Sequence, residues 1–99
     1  MRYVFSEDRF GIVVTFNDII TKGNKEIIPI YVEQARIGDA RQPFNYAEAT
    51  LPECAFTRSY GFSPSELDDL QSYILNNADL IYDYAREQAG TPATPSTKF

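Results

Sequence analysis

The sequence contains no histidine and no tryptophan, and Cys54 is the only cysteine among its 99 residues. Without histidine, the usual Ser-His-Asp and Cys-His catalytic constellations and histidine-bearing zinc sites are excluded. A single cysteine cannot form an intramolecular disulfide, and such a residue is more often a small packing group than a nucleophile. We therefore predict neither a catalytic centre of these classes nor a bound cofactor or metal.

Long apolar runs and glycine-rich motifs are absent as well. No run approaches the roughly 20 apolar residues needed to span a bilayer, and charged residues at positions 7–9 stand where a signal peptide would have its apolar core. The five glycines are scattered and form neither a P-loop nor a dinucleotide-binding fingerprint. We expect a cytoplasmic protein without a membrane span and without a nucleotide site.

Basic residues are few relative to acidic ones. Nine Lys and Arg residues face 14 Asp and Glu residues, which gives a formal net charge of −5 and a pI near 4.5. Residues 61–99 hold six of the acidic and only two of the basic residues, so most of the excess lies there. Because phosphate binding requires a basic surface, we expect no direct nucleic-acid binding and favour a basic protein as partner.

The residues that are present predict one folded domain. Hydrophobic residues make up 43% of the chain and aromatic residues 14%, which is enough apolar surface to offset the entropy of ordering. We expect a single domain over residues 1–90. Residues 91–99 are rich in Pro and Thr and are expected to form a flexible tail.

The first two thirds of the chain favour β-structure. Residues 2–5 and 10–16 are rich in β-branched and aromatic side chains and flank a polar connection, which predicts a hairpin. Residues 25–35 are also extended in character, but Pro29 cannot donate a ladder hydrogen bond and therefore predicts an edge or bulged strand. Shorter strands are expected in residues 44–51 and 55–60. Together these segments predict a small, mainly antiparallel sheet of three to five strands.

The last third predicts one long helix over residues 64–89. Ser63 has the chemistry of an N-cap, Pro64 suits the first helical position, and Glu66 completes a capping box. Gly90 suits the position after the helix, and prolines beyond it prevent continuation. The helix would have about 26 residues and a length of about 39 Å.

One face of this helix is apolar. At 100° per residue, seven apolar positions form a single stripe that we expect to pack on the sheet. They are Leu67, Leu70, Ile74, Ala78, Ile81, Ala85 and Ala89. The predicted fold is therefore α+β, with a small sheet packed against one long C-terminal helix.

The remaining helix surface supplies the candidate functional residues. Two sets could bind a partner: an acidic face and an aromatic flank beside it. The acidic face contains Asp68, Asp79, Asp83 and Glu87, and the flank contains Tyr73, Leu80 and Tyr84. Charges beside aromatic anchors are typical of interface centres, whereas the alternatives are an ordinary solvated face and a flank that covers the sheet edge. Both interpretations stay open from the sequence.

Short segments also carry a resemblance to a known family. Phe10-Gly11-Ile12, Phe16-Asn17-Asp18, Leu51-Pro52 and Asn77-Ala78-Asp79-Leu80-Ile81 together resemble a family of small uncharacterised bacterial domains. Members of that family are often encoded beside a second small protein, in arrangements reminiscent of toxin–antitoxin pairs. The family's Pro- and His-rich segment is absent here. The resemblance implies a strand-rich N-terminal half and a terminal helix, and implies no activity.

Three hypotheses for function follow. The first is a non-enzymatic acidic binding module, such as an immunity protein, an antitoxin or a phage or mobile-element inhibitor, that docks a basic protein through its helix. The second is a homodimer formed through the aromatic flank or the Pro29 strand. The third is an enzyme that uses paired carboxylates, with Glu7-Asp8, Asp68-Asp69 and the Asp79, Asp83 and Glu87 row as candidates. That third hypothesis requires two carboxylates that converge in a buried cleft.

Overall fold

A computed structural model describes residues 1–35 and 44–90 and confirms the α+β class. Residues 36–43 and the predicted tail over residues 91–99 lie outside the described residues. The elements follow one another as β1 (Tyr3–Glu7), β2 (Ile12–Phe16), β3 (Ile20–Lys22), β4 (Lys25–Ala35), β5 (Phe44–Leu51), β6 (Ala55–Tyr60), α1 (Pro64–Asn76) and α2 (Ala78–Gly90).

The sheet has six strands, so the prediction of three to five is wrong. The strand order is β1-β2-β4-β5-β6, with β3 paired to the first residues of β4, and every pairing is antiparallel. The strand that the sequence pattern did not reveal is β3, which is three residues long and exposed throughout. It forms because Gly23, at a φ of 60°, allows the tight turn into β4.

The Pro29 strand is central, so the prediction that it lies at an edge is wrong. β4 pairs with β5 on one side and with β2 and β3 on the other. The carbonyl oxygen of Pro29 accepts a hydrogen bond of 3.0 Å from the Asn17 amide, so the proline nitrogen faces the same side. On that side β2 pairs as far as Ile30 and β3 as far as Ile27. Pro29 therefore lies between the part of β4 that pairs with β2 and the part that pairs with β3, so its missing N–H interrupts no ladder hydrogen bond.

The single long helix is also wrong, because Asn77 separates α1 from α2. Asn77 has φ −109° and ψ 10°, and its amide donates to the carbonyl of Ile74 at 3.1 Å rather than four residues back. Its side-chain Nδ2 donates instead to the carbonyl of Tyr73, at 2.8 Å. The Asn77 side chain thus makes the hydrogen bond to Tyr73 that its backbone amide would make in a continuous helix. Such local bonding is why asparagine interrupts helices.

The apolar stripe of the helical segment continues across this break. Leu70, Ile74, Ile81 and Ala85 are all buried, as predicted, and Leu67 and Ala78 are partly buried. The side chain of Ala89 lies outside the described residues. Because the stripe keeps its phase on both sides of Asn77, periodicity alone could not reveal the break.

One face of the sheet packs on both helices. Buried residues alternate along β4 and β5, as expected when one face is covered. With β2, these strands contribute Val14, Phe16, Ile28, Ile30, Val32, Ala47, Ala49 and Leu51 to a single core that also contains the helix stripe. Neither described helix is long and apolar enough to cross a membrane.

Candidate functional site

The start of α1 is held by the predicted capping box. The Ser63 hydroxyl accepts a hydrogen bond from the Glu66 amide at 3.1 Å, and a Glu66 carboxylate oxygen accepts one from the Ser63 amide at 2.8 Å. Residues three and seven positions after Glu66 lie on the same side of the helix, and these are Asp69 and Tyr73. The cap therefore positions a row of two carboxylates and a phenol on one flank of α1.

The β1–β2 hairpin lies opposite this row, and Asp8 holds its turn. One oxygen of the Asp8 carboxylate accepts hydrogen bonds from the amides of Phe10 at 2.8 Å and Ile12 at 3.0 Å. Gly11 has a φ of 81°, and an added Cβ there would meet nothing within 4 Å. Glycine is thus required for its conformation and not for close packing.

A cleft of about 380 Å³ lies between the hairpin and α1. Its two walls are joined by a hydrogen bond of 2.9 Å from the Tyr73 hydroxyl to the Ser6 hydroxyl. The floor is apolar and consists of Ile12, Val14, Phe62 and Leu70, and the rim is acidic and consists of Glu7, Asp8, Glu66 and Asp69. Among residues 1–35 and 44–90, no Lys or Arg lines it.

The four rim carboxylates differ in what they already bind. Asp8 and Glu66 accept the backbone hydrogen bonds that hold the hairpin turn and the helix cap. Glu7 and Asp69 are exposed, and neither side-chain carboxylate forms a hydrogen bond or an ion pair with another residue in the described part of the chain. Two acceptors on opposite walls are therefore available to a ligand.

The predicted aromatic flank begins at this cleft. Tyr73, Leu80 and Tyr84 are 40%, 41% and 40% exposed. The rings of Tyr73 and Tyr84 also pack on Phe5 of β1, with centroid distances of 6.2 Å and 5.9 Å. The flank thus covers part of the sheet edge and still presents apolar surface to solvent, so both interpretations drawn from the sequence have a structural basis.

The predicted acidic face lies mostly farther round the helices. Asp68, Asp79, Asp83 and Glu87 are all exposed. Asp83 is ion-paired with Arg86 at 3.7 Å, and Arg86 also contacts Glu26 of β4 at 2.9 Å. Part of the negative charge predicted for docking is therefore balanced by Arg86.

A second, more open hollow of about 810 Å³ adjoins this ion-paired side. Asp79, Asp83 and Arg86 line it together with the β3–β4 turn. Nearby, Lys25 and Glu53 form an ion pair of 2.9 Å. The hydrogen bond from Lys25 lowers the pKa of Glu53 below its usual value, and the same bond raises the pKa of Lys25. Basic side chains thus already occupy this side.

The face of the sheet turned away from the helices carries alternating charges and aromatic rings. Arg2 lies over the Tyr31 ring at 3.8 Å and contacts Glu33 at 3.5 Å. The Tyr46 hydroxyl donates a hydrogen bond to Glu48. Burial, reinforced by this bond, raises the pKa of Tyr46 to about 12. These groups bind one another, and none of them lines the cleft or the second hollow.

Three observations concern chemistry. The buried polar residues in the described part of the chain are Thr15 and Asn45, so the buried, converging carboxylates that an enzyme of the predicted kind requires are not found there. Cys54 is fully buried in the β5–β6 turn, and burial raises the pKa of its thiol, which disfavours a nucleophilic role. Within residues 1–35 and 44–90, no three Cys, Asp or Glu side chains are grouped so as to hold a metal.

The rim of the cleft was missing from the sequence-predicted partner site. Glu7 and Asp69 come from segments about 60 residues apart, and only tertiary packing brings them to one cleft. The sequence signals were that each belongs to an adjacent acidic pair, Glu7-Asp8 and Asp68-Asp69, and that Asp69 lies beside Asp68 on the outward side of the predicted helix. These signals point to candidate carboxylates but cannot indicate which of them meet.

Comparison with known proteins does not assign the site. No family model matches the sequence, no curated protein matches it, and no solved structure matches its fold. The resemblance to small uncharacterised bacterial domains accordingly stays a prediction. The cleft and the adjoining flank are defined by their geometry and charge.

Proposed function

We propose that this chain is a non-enzymatic binding module that docks a basic protein through the acidic surface of its two helices. The observation that carries the proposal is the row of Tyr73, Leu80 and Tyr84, each about two fifths exposed, beside exposed carboxylates. Aromatic and aliphatic anchors of this kind contribute much of the energy of protein interfaces. The surrounding negative field would speed the approach of a basic partner and set its orientation.

The biological class and location belong to the same proposal. An immunity protein, an antitoxin and a phage or mobile-element inhibitor are all small proteins that act by binding another protein. The net charge of −5 and the exposed flank support this mode of action without selecting among the three. A cytoplasmic location is part of the proposal as well.

The proposal is tested by capturing the partner from a lysate of the source organism with the wild type and with variants of the flank. Leu80→Ser removes an apolar anchor that is 41% exposed, and Leu75→Ser is its control because Leu75 is 43% exposed on the other side of the helices. We expect Leu80→Ser to release the partner and Leu75→Ser to retain it. The captured protein should be basic, and raised salt should weaken its binding.

A charge variant gives the second measurement. Asp79→Lys combined with Asp83→Lys reverses the charge on the helix surface and should slow association, seen as a lower on-rate in surface plasmon resonance. Failure to recover any stoichiometric partner would contradict the proposal. So would a partner whose binding is unchanged in both the Leu80→Ser variant and the charge-reversed variant.

A homodimer is the second candidate, and the half-exposed flank is the observation that favours it. The Pro29 strand can no longer serve as its interface, because both edges of β4 are already paired. Two copies joined through the flank would bring like-charged carboxylates together, which opposes association and favours a basic partner instead. Sedimentation as a monomer at high micromolar concentration would remove the homodimer.

A further inference from the structure

We infer that the cleft between the β1–β2 hairpin and α1 receives a lysine or arginine side chain of the basic partner. This inference rests on the proposed function and adds the position and chemistry of one contact. It places a specific anchor site at the hairpin side of α1, where the sequence pattern indicated no partner-binding residue other than Tyr73.

The size and floor of the cleft suit a long aliphatic stem. Its volume of about 380 Å³ lies at the lower end of the range for ligand sites, roughly 300–1,000 Å³. Ile12, Val14, Phe62 and Leu70 supply the apolar floor. Lysine and arginine pack their methylene groups on such surfaces while the charged head stays near water. The stem would therefore lie on the floor and the head would reach the rim.

The rim selects the sign of the head group. Glu7 and Asp69 lie on opposite walls and have no partner among the described residues, so both can accept a hydrogen bond from an ammonium or guanidinium group. Asp8 and Glu66 keep their structural hydrogen bonds and add negative charge. Since no basic side chain lines the cleft, an anionic side chain would be repelled.

The cleft is continuous with the docking flank. Tyr73 lines the cleft and is also the first residue of the Tyr73, Leu80 and Tyr84 row. A partner segment that lies on this row can place a neighbouring basic side chain in the cleft. This continuity is why we assign the cleft to a side chain of the protein partner and not to a free small cation.

An NMR titration tests the inference. The isotope-labelled whole chain is titrated with three blocked tripeptides, and its amide chemical shifts are monitored. The tripeptides are Leu-Lys-Leu, Leu-norleucine-Leu and Leu-Glu-Leu. Lysine and norleucine share a butyl stem and differ by the ammonium group, whereas glutamate carries the opposite charge on a shorter stem. The lysine peptide should shift the amides of residues 6–8 and 69–73, and should bind about tenfold more tightly than the norleucine peptide, as one charge-assisted hydrogen bond predicts. Shifts located elsewhere, or equal affinity for lysine and norleucine, would overturn the inference.

Two double variants with the same charge change supply the control. Glu7→Gln with Asp69→Asn should reduce affinity for the lysine peptide to that of the norleucine peptide. Glu53→Gln with Asp18→Asn, at exposed positions outside both the cleft and the docking surface, should leave it unchanged. All four residues are exposed, so both variants should fold, and circular dichroism verifies this. Tighter binding of spermidine than of the lysine peptide in the cleft would show a small-molecule site and overturn the assignment to a protein side chain.

The same variants separate failure of the inference from failure of the proposed function. If a captured partner is released by Leu80→Ser but binds the Glu7→Gln, Asp69→Asn variant with full affinity, the docking function stands and the cleft assignment is wrong. If Leu80→Ser and the Asp79→Lys, Asp83→Lys variant both bind the partner as the wild type does, the proposed function itself is wrong. Loss of binding in both the Leu80→Ser and cleft variants supports the two together.

Discussion

The two sides of the helical layer differ in how their charges are balanced. On the β1 side, four carboxylates surround an apolar cleft that no Lys or Arg lines. On the β4 side, Arg86 contacts both Asp83 and Glu26, and Lys25 contacts Glu53. Both sides belong to the same acidic chain and pack on the same core. Among the described residues, the placement of Lys25 and Arg86, not the number of acidic residues, makes the two sides different.

This difference shows why a count of charges along a helix is a poor guide to a binding surface. Asp79, Asp83 and Glu87 form the most regular acidic row in the sequence, but the fold brings Arg86 and the β3–β4 region beside it. The cleft carboxylates are less regular in sequence and remain less compensated in space. Exposed ion pairs of the Arg86 kind contribute little to stability, and their main effect here is to lower the local field.

A cavity in the core that both sides share should have the largest effect on the free energy of unfolding. Ile74→Ala leaves a cavity at a fully buried position under α1 and should lower the free energy of unfolding by about 2–5 kcal/mol. Urea denaturation followed by circular dichroism measures this, since the chain has no tryptophan. The neighbouring variant Leu75→Ala, at a 43% exposed position, is the control and should change stability far less. Equal effects of the two variants would contradict the core assignment.

Loss of the helix cap should destabilise the first turn of α1, on the cleft side, and leave α2 unchanged. Ser63→Ala removes the hydroxyl that accepts the Glu66 amide and should cost about 1 kcal/mol of unfolding free energy. Amide hydrogen exchange should become faster in the first turn of α1 and stay unchanged in α2. Ser72→Ala, an exposed substitution in the middle of α1, is the matched control and should be neutral or slightly stabilising. A stable, unchanged first turn in Ser63→Ala would argue against the capping box.

On the β4 side, loss of the Lys25 ammonium group should change the pKa of Glu53. The Glu53 pKa is lowered chiefly by its hydrogen bond from Lys25, so Lys25→Gln should raise it toward its ordinary value. Because the pKa is lowered in the folded state, the associated stabilisation is present above the ordinary pKa and is lost as the pH falls through the folded value. Carboxyl NMR titration measures the shift, with Lys22→Gln as the control. A Glu53 pKa that does not move would refute the pairing.

Local elements of the fold could be read from the sequence because they depend on neighbouring residues. Ser63 and Glu66 predicted the helix start, and the apolar content of residues 44–51 and 55–60 allowed β5 and β6 to be expected despite poor alternation in the first of these segments. β3 could not be predicted, because a strand of three exposed residues is stabilised mainly by its pairing with β4. The Asn77 break was missed because the apolar stripe continues in phase through it.

The candidate site was predictable only in part. Tyr73, Leu80 and Tyr84 are on one side of a helical segment by spacing alone, and they do form a half-exposed row. Their packing on Phe5, and the cleft that begins at Tyr73, depend on where β1 lies in the sheet. No pattern along the chain shows that Glu7 and Asp69 face each other.

The sequence by itself determined the α+β class, the capped start of the helical segment, its apolar stripe and the acidic balance of the chain. These follow from side-chain chemistry and from periodicity over a few turns or residues. Only the tertiary structure decided that β4 is central despite Pro29. It also decided that basic side chains balance one side of the helices, whereas no described Lys or Arg lines the cleft on the other side. Those outcomes depend on contacts between segments distant in sequence, which strand order and helix placement create.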